Sequence, residues 1–315
     1  MPEWLIERGI GEVREALVEG GKILEARIAV EGVISVGTII KAKLIDVGRN
    51  GRNAVAEAEG QEYLLRGTPT GISEGATFDL EVTRSKIPGT EPWKRPLGRA
   101  ANPLQVENES PRSSAAMPAE DQLGMAGWND LIEEARSGVV RFAGGELRIS
   151  PTPAMTLVDV DGHLAPGELA VIGAREAARA IRRLDIGGSI GIDLPTAGSK
   201  ASRQDAAAAI DAMLPQPFER TAVNGFGFVQ IVRARRRASL VELAQDRARF
   251  EARALLRRVA FEPAGPKRIV AHPSMVNVLE SRPDWLDALA RQIGGSVGLR
   301  ADPSLPMSGG YAEKH

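Results

Sequence analysis

Two short apolar runs, each carrying a carboxylate near its end, constrain the fold of this chain more than any other feature. The first run, residues 155 to 160, contains Asp159. The second run, residues 189 to 194, contains Asp193. Between them, Gly167 to Leu184 is rich in Ala and Arg and has apolar residues at helical spacing. Strand, helix and strand in this order predict a right-handed βαβ unit with two parallel strands.

Parallel strands bring their carboxyl ends to the same edge of a sheet. If the two strands are neighbours, their backbones lie about 4.8 Å apart, and Asp159 and Asp193 can share one hard cation such as Mg²⁺. Asp161 follows two residues after the first carboxylate and either supports the pair or joins it. We therefore predict a metal site made of Asp159, Asp193 and Asp161.

A tight turn is the alternative interpretation of the Asp-Val-Asp-Gly segment at 159 to 162. Asp accepts local backbone hydrogen bonds and Gly adopts positive φ, so this composition is typical of turns. A calcium loop of the EF-hand type is excluded, because its fifth position would need Asp or Asn and is His163. The second carboxylate, at the end of a second apolar run, favours the metal site.

Composition limits the remaining choices. The 315 residues allow roughly two domains. The 40 basic residues nearly balance the 41 acidic ones, so any nucleic-acid binding must depend on local basic patches. Without cysteine, disulfides and thiolate zinc sites are excluded. The opening residues do not resemble a signal peptide, and no apolar run is long enough to span a bilayer. We expect a soluble, cytoplasmic protein that does not bind membranes.

Patterning predicts an α/β (α+β) protein with five regions. Residues 1–31 are expected to form strand, helix and strand, with the helix over Ile10 to Val18 and its end at Gly20-Gly21. Residues 32–97 hold short alternating strands separated by Gly, Asn and Pro, which favours a small barrel of the OB-fold type. Residues 98–127 have little periodicity and many Pro and Ser, which is typical of a linker.

Residues 128–259 are expected to form the core that carries the metal site. Besides the βαβ unit, the pattern predicts a hairpin over 139–149, a strand over 226–232, and helices over 128–137, 203–214 and 240–259. Residues 260–315 read as a small αβ region, with a loose tail after Ala301.

Four segments of the chain carry a family resemblance. They are Trp-Leu-Ile-Glu-Arg at 4–8, the run from Gly145 to Gly162, the run from Arg182 to Asp193, and Phe226 to Arg233 with Ser239-Leu240. In these segments, and in the same order, the chain resembles the ribonuclease E/G family, the endoribonucleases of bacterial RNA processing and decay.

The resemblance implies an RNase H-like and nuclease-like catalytic core with an inserted OB-fold RNA-binding barrel. Asp159 and Asp193 match the family's two magnesium ligands and would be the catalytic residues. The implied activity is Mg²⁺-dependent hydrolysis of single-stranded RNA, with Mn²⁺ as a substitute, leaving 5′-phosphate and 3′-hydroxyl ends. A metal that activates water and stabilises charge on phosphate is suited to this reaction.

The chain departs from the family in several places. Asp161 stands where the family usually has Asn, and Leu164 stands in place of a frequent Arg. The zinc-binding cysteines that join subunits of relatives are absent, so we expect no zinc, and any homodimer must form without it. The separate domain that senses RNA 5′ ends is also absent. These departures keep open an alternative, a catalytically weak or inactive RNA-binding protein.

Six basic residues are candidates for RNA contacts. Lys200 and Arg203 follow the second aspartate closely, and Arg233 lies in a matching motif. In the barrel segment the candidates are Lys41, Lys43 and Lys86. The alternative for all of them is an ordinary solvated face or the charges of an edge strand.

Overall fold

The computed structural model describes residues 1–49, 52–88, 94–101 and 120–314. Its fold is mixed α and β, as predicted, with a closed five-stranded barrel, a six-stranded sheet and two three-stranded sheets. None of the helices in these ranges is long and apolar enough to cross a membrane.

The chain begins with an antiparallel sheet of three strands: β1 (Glu3–Arg8), β2 (Glu12–Glu19) and β3 (Lys22–Val30). The predicted helix over Ile10 to Val18 is therefore wrong. Gly20 and Gly21, with φ of 58° and 73°, form the two-residue hairpin turn between β2 and β3. The inward side chains of β2 alternate, but two of them, Glu12 and Arg14, are charged. Because buried positions are expected to be apolar, these two charged residues made the alternating strand pattern unrecognisable in the sequence.

The barrel closes in the order β4-β5-β6-β8-β7, an OB-like arrangement in which β6 and β8 are parallel. Its strands are β4 (Ile39–Asp46), β5 (Ala54–Ala58), β6 (Gln61–Leu65), β7 (Thr77–Arg84) and β8 (Leu97–Ala100). Small residues such as Ala54 and Ala56 fill the interior beside Leu44, Leu80 and Tyr63. The prediction of a small barrel in this region is confirmed.

The predicted linker at 98–127 is wrong at both ends. Its first residues belong to β8, and Asp121 caps the short helix α1 (Gln122–Met125). Residues 102–119 of that prediction lie outside the described ranges. The strand β8 escaped prediction because it is short and contains Gly98. A Cβ at that position would lie 2.7 Å from Leu80 Cδ2, so the close approach to the barrel interior requires glycine.

The six-stranded central sheet has the order β13-β14-β12-β11-β10-β9. Its elements and their helices are α2 (Trp128–Ser137), β9 (Val139–Phe142), β10 (Gly145–Pro151), β11 (Thr156–Gly162), α3 (Pro166–Arg183), β12 (Gly188–Asp193), α4 (Lys200–Met213), β13 (Phe218–Arg220) and β14 (Phe228–Arg233). β11 and β12 are parallel, and the other described neighbours are antiparallel. The helix α3 packs on β10, β11 and α4, so the predicted βαβ unit is confirmed.

The helix predicted over 240–259 is two helices, α5 (Leu240–Leu243) and α6 (Arg247–Ala260). The break lies at Asp246, whose side chain accepts a hydrogen bond from the backbone N–H of Arg249 and so starts a new helix. The α5 helix has its own capping box, formed by Ser239 and Glu242.

The last region is a small αβ unit, as predicted, but its tail is ordered. Its elements are β15 (Lys267–Ala271), α7 (Pro273–Glu280), α8 (Pro283–Ile293), β16 (Val297–Ala301), the 3-10 helix Met307–Gly309 and β17 (Tyr311–Lys314). β17 pairs antiparallel with β15, which corrects the expectation of a loose tail after Ala301. The sheet packs on the apolar side of α6, at Leu255, Leu256 and Val259.

Five buried charged residues join the N-terminal sheet to α6. We call Glu7, Glu12, Arg14, Arg253 and Arg257 the buried charge cluster, because their exposed fractions are between 1% and 7%. Arg14 lies 2.6 Å from both glutamates. Arg257 contacts Glu7 at 2.8 Å, and Arg253 contacts Glu12 at 2.7 Å. Every carboxylate in the cluster therefore has two arginine partners.

Candidate metal centre on the open face of the central sheet

The backbone ladder sets Asp159 beside Asp193. The parallel pairing of β11 with β12 runs from Thr156 opposite Ile190 to Asp159 opposite Asp193. Residues in register on neighbouring parallel strands point to the same face, with their backbones about 4.8 Å apart. The predicted adjacency of the two carboxylates is confirmed.

The aspartates occupy the face of the sheet that α3 does not cover. Along β11, Thr156, Val158 and Val160 are buried, whereas Leu157, Asp159 and Asp161 are exposed. Asp193 is also exposed. We call Asp159, Asp161 and Asp193 the acidic triad. Asp159 and Asp161 pair with Arg148 and Glu146 of β10, so they belong to a strand and the turn interpretation is wrong.

The acidic triad carries an excess of negative charge. Partial burial raises the pKa of Asp159 above its usual value, and the charges of Asp161 and Asp193 raise it further. The nearby cation, Arg148, lowers that pKa, but it also forms an ion pair with Glu146 at 2.6 Å. The negative charges at this face are thus incompletely neutralised, and a bound cation would relieve their repulsion.

The two carboxylates of Asp159 and Asp193 suit Mg²⁺ better than a metal ion that takes all its ligands from the protein. Mg²⁺ is usually bound through one or two carboxylates and keeps several waters, which Asp159 and Asp193 can provide. In the ranges that the structure describes, no group of three or more His, Asp or Glu side chains is arranged to hold a metal ion. Direct ligation by Asp161 therefore stays a prediction.

Two helices begin at the same edge of the sheet as the aspartates. α3 follows β11 and α4 follows β12, and their first turns touch, since a Cβ at Gly167 would lie 3.1 Å from Ser202 Oγ. Lys200 is exposed in the first turn of α4, and Arg203 donates to the Ala197 carbonyl at 3.3 Å. Helix N-termini and nearby cations both favour bound anions. This edge thus combines acidic ligands with groups suited to phosphate.

The other predicted RNA contacts lie elsewhere. Arg233 pairs with Gly188, at the opposite end of β12 from Asp193, and donates to the Ile186 carbonyl at 3.2 Å, so it lies away from the acidic triad. Its contact with RNA stays a prediction. Lys41 and Lys43 are exposed on β4 of the barrel, where Lys41 forms an ion pair with Asp79 at 2.8 Å. Lys86 is exposed just after β7. These four residues lie away from Lys200 and Arg203. We call the sheet edge that carries Asp159 and Asp193, where α3 and α4 begin, the aspartate edge.

Two phenylalanines beside the acidic triad were missed by sequence reasoning. Phe228 lies directly opposite Asp193 on β14, and its ring occupies the space above Gly191, where a Cβ would lie 2.6 Å from Cζ. Phe226 is 83% exposed. Exposed aromatic rings are platforms on which bases stack. The sequence feature that could have predicted this is the Asn-Gly-Phe-Gly-Phe run at 224–228. Its Asn and Gly residues favour a turn, which places the ring of Phe226 before the start of β14.

Two clefts lie away from the acidic triad. One, of about 630 Å³, lies along the N-terminal sheet and is lined by residues that include Trp4, Arg27 and Lys86. The other, of about 1010 Å³, lies between the barrel and the segment after β14. Since neither is lined by the aspartates, the candidate metal centre is an open surface site.

No protein-family model matches the chain, and no curated protein matches it either.

Proposed function

We propose that this chain is a metal-dependent endoribonuclease that hydrolyses single-stranded RNA. The observation that carries the proposal is the acidic triad, in which Asp159 and Asp193 are in register on an exposed sheet face without enough cations to neutralise them. Carboxylates in this arrangement suit Mg²⁺ or Mn²⁺. RNA as the substrate comes from the resemblance to the ribonuclease E/G family in the same segments.

The finer description of the fold belongs to this proposal. An RNase H-like and nuclease-like core would carry its metal ligands at the carboxyl ends of neighbouring strands, with helices on the opposite face. The pairing of β11 with β12 and the packing of α3 support this description. The OB-like barrel would supply part of the RNA-binding surface.

Each group at the aspartate edge has a role in the proposed reaction. Asp159 and Asp193 would hold the ion, which when bound activates water and stabilises charge on the phosphate. Asp161 would strengthen the negative potential that attracts the cation. Lys200, Arg203 and the first turns of α3 and α4 would hold the phosphate oxygens. Phe226 and Phe228 would orient the strand by stacking on its bases.

A second candidate is an RNA-binding protein without useful activity. It is favoured by the lack of a third side chain arranged around the metal position among the described residues. The exposed ring of Phe226 is compatible with either function. The two candidates differ in whether bound RNA is cut.

Cleavage of a labelled single-stranded RNA by the purified full chain, with and without Mg²⁺, tests the proposal. We expect cleavage with Mg²⁺ or Mn²⁺, none in EDTA, and no effect of a zinc-selective chelator. Asp159→Asn and Asp193→Asn should each reduce the rate on the order of 10³-fold, since the metal contributes several kcal/mol. Asp287→Asn, an exposed aspartate on α8, is the matched control. RNA binding without Mg²⁺-dependent cleavage would favour the second candidate.

A further inference from the structure

Five arginines line the cleft of about 1010 Å³ between the barrel and the central sheet. We call them the arginine seam: Arg66, Arg84, Arg99, Arg235 and Arg236. The first three belong to the barrel, and the last two follow β14. A hydrogen bond of 2.9 Å from the Ser85 N–H to the Arg236 carbonyl joins the two sides. The cleft is therefore a defined junction between two parts of the fold.

Carboxylates neutralise only part of this charge. Glu81 accepts two hydrogen bonds from Arg99, at 2.8 and 3.0 Å. Glu242 accepts one from Arg235. Arg66 is exposed and forms no ion pair within the described ranges. Arg84 donates to the Arg95 carbonyl at 2.7 Å and pairs with no carboxylate of the described residues. The charges of Arg66 and Arg84 are therefore not neutralised by any carboxylate in the described ranges.

Two buried donors in the seam have no acceptor among the described residues. The Nε–H groups of Arg84 and Arg235 are buried and make no hydrogen bond within the part of the chain that the structure describes. Burial lowers the pKa of Arg84, and the charges of Arg235 and Arg66 lower it further. A buried donor without a partner costs about 1–3 kcal/mol. An anion with several oxygens would satisfy the donors and relieve the repulsion together.

We infer that the arginine seam binds a phosphate group of an RNA strand, either an internal phosphodiester or a terminal phosphate. Guanidinium groups suit this ligand because their forked N–H donors match two phosphate oxygens at once. The nature of the strand rests on the proposed function, whereas the affinity for phosphate oxygen rests on the arginines themselves.

The seam is remote from the acidic triad. A Cβ at Gly188, the first residue of β12, would lie 3.3 Å from Arg235 Cδ, whereas Asp193 is the last residue of that strand. Five steps of about 3.3 Å separate the two ends by about 16 Å. At about 3.4 Å per nucleotide of stacked strand, about five nucleotides cover that distance. A stacked strand that contacts both sites is therefore expected to be about five nucleotides long or longer.

The test is RNA affinity of the full chain in EDTA, where the metal centre is inactive, measured by fluorescence anisotropy over a range of salt concentrations. Arg66→Glu is the informative variant, because Arg66 is exposed and its loss breaks no ion pair of the described chain. Arg291→Glu, the same change at an exposed position of α8, is the matched control. For a single strand longer than the gap, we expect Arg66→Glu to weaken binding roughly tenfold and to reduce the salt slope by about 0.7 per lost phosphate contact.

Three forms of the same RNA identify the phosphate: linear with 5′-monophosphate, linear with 5′-hydroxyl, and circular. Equal affinities, all reduced by Arg66→Glu, would assign the seam to internal phosphodiesters. A preference for 5′-monophosphate that Arg66→Glu removes would assign it to the terminal phosphate. An unchanged affinity in Arg66→Glu, an equal loss in Arg291→Glu, or no RNA binding by the parent chain would each overturn the inference. Binding through the seam by a chain that does not cleave would overturn only the proposed function.

Discussion

The buried charge cluster and the acidic triad hold the same chemical group in opposite surroundings. Glu7 and Glu12 are 1% and 7% exposed, and each has two arginine partners within 2.8 Å. Asp159, Asp161 and Asp193 are exposed, and the pKa of Asp159 is raised by its partial burial and then by the charges of Asp161 and Asp193. In the first region the arginines supplied by β2 and α6 complete the environment of the carboxylates. In the second region the nearby cation, Arg148, also pairs with Glu146, so the aspartates are only partly neutralised.

The difference separates carboxylates that hold the chain together from carboxylates available to a ligand. Desolvating an ion is costly, and a buried pair tolerates this only when its geometry and hydrogen bonds are good. An exposed carboxylate has no such need, so leaving it unneutralised costs little. Substitutions in the two regions should therefore change different measured quantities.

The largest effect is expected from Glu7→Gln. Removing this charge leaves buried Arg14 with Glu12 as its remaining partner and buried Arg257 with Asp121, which should lower the free energy of unfolding by about 3 kcal/mol, the low end for breaking a buried ion pair. Chemical denaturation of the parent and variant measures the change. Glu3→Gln, at an exposed position of the same strand, is the control. A loss below about 1 kcal/mol for Glu7→Gln would show that the cluster is not a structural support.

Phe226→Ala should affect RNA affinity and leave stability unchanged. Loss of one stacking ring costs about 1–3 kcal/mol of binding, whereas a side chain that is 83% exposed contributes little to folding. Anisotropy in EDTA and thermal unfolding measure the two quantities. Met125→Ala removes another exposed apolar side chain, on α1, and should change neither. A drop in stability without a loss of affinity would make Phe226 a packing residue.

Asp159→Asn should keep or slightly increase stability in the presence of a chelator. The folded chain disfavours the ionised form of this carboxyl, which is why its pKa is raised. A neutral amide of the same shape removes the repulsion. Because solvent screens charges at this exposed position, we expect a gain of less than about 1 kcal/mol. Urea denaturation in EDTA measures it. Marked destabilisation would place the acidic triad with the buried charge cluster as a structural feature.

The smallest effect is expected at Glu31, which is intermediate between the two regions. Hydrogen bonds from Trp285 and Arg282 lower its pKa below the ordinary value of 4.5. Its stabilisation is therefore complete above that value and is lost as pH falls through the lower pKa of the folded state. Because the Glu31 side chain is 52% exposed, Glu31→Gln should cost less than about 1 kcal/mol at neutral pH. Thermal unfolding at several pH values should show this cost disappearing in acid, and a pH-independent cost would contradict the assignment.

The adjacency of Asp159 and Asp193 was predictable because local pattern and chain order define it. Two apolar runs joined by one helical segment predict a parallel pair with its carboxylates at one edge. The structure then shows the two strands as neighbours, with Asp159 opposite Asp193. The exposed position of Phe226 was not predictable in this way. It depends on where β14 begins and on the turn at Asn224, which bonds the backbone N–H groups of Phe226 and Phe228.

The errors in the predicted fold arise from tertiary partners. The alternating pattern of β2 can be recognised only if Glu12 and Arg14 are counted among the buried residues. Their burial depends on Arg253 of α6, which pairs with Glu12 and lies more than two hundred residues away along the chain. The strand β17 forms because β15 offers it an edge. The arginine seam likewise brings together Arg66, which follows β6, residues of β7 and β8, and the segment after β14. No local window of the sequence contains these contacts.

The ladder between β11 and β12 has a consequence for the dynamics of the candidate metal centre. Many ligand sites lie on loops, which open locally at little cost in free energy. Here both aspartates belong to strands of the central sheet. The residues that precede them, Val158 and Ile192, are buried in the core. Their hydrogen exchange should follow global unfolding, so the ligands would stay positioned until the whole sheet melts. Variation in the surrounding loops can then alter what approaches the aspartates without moving them.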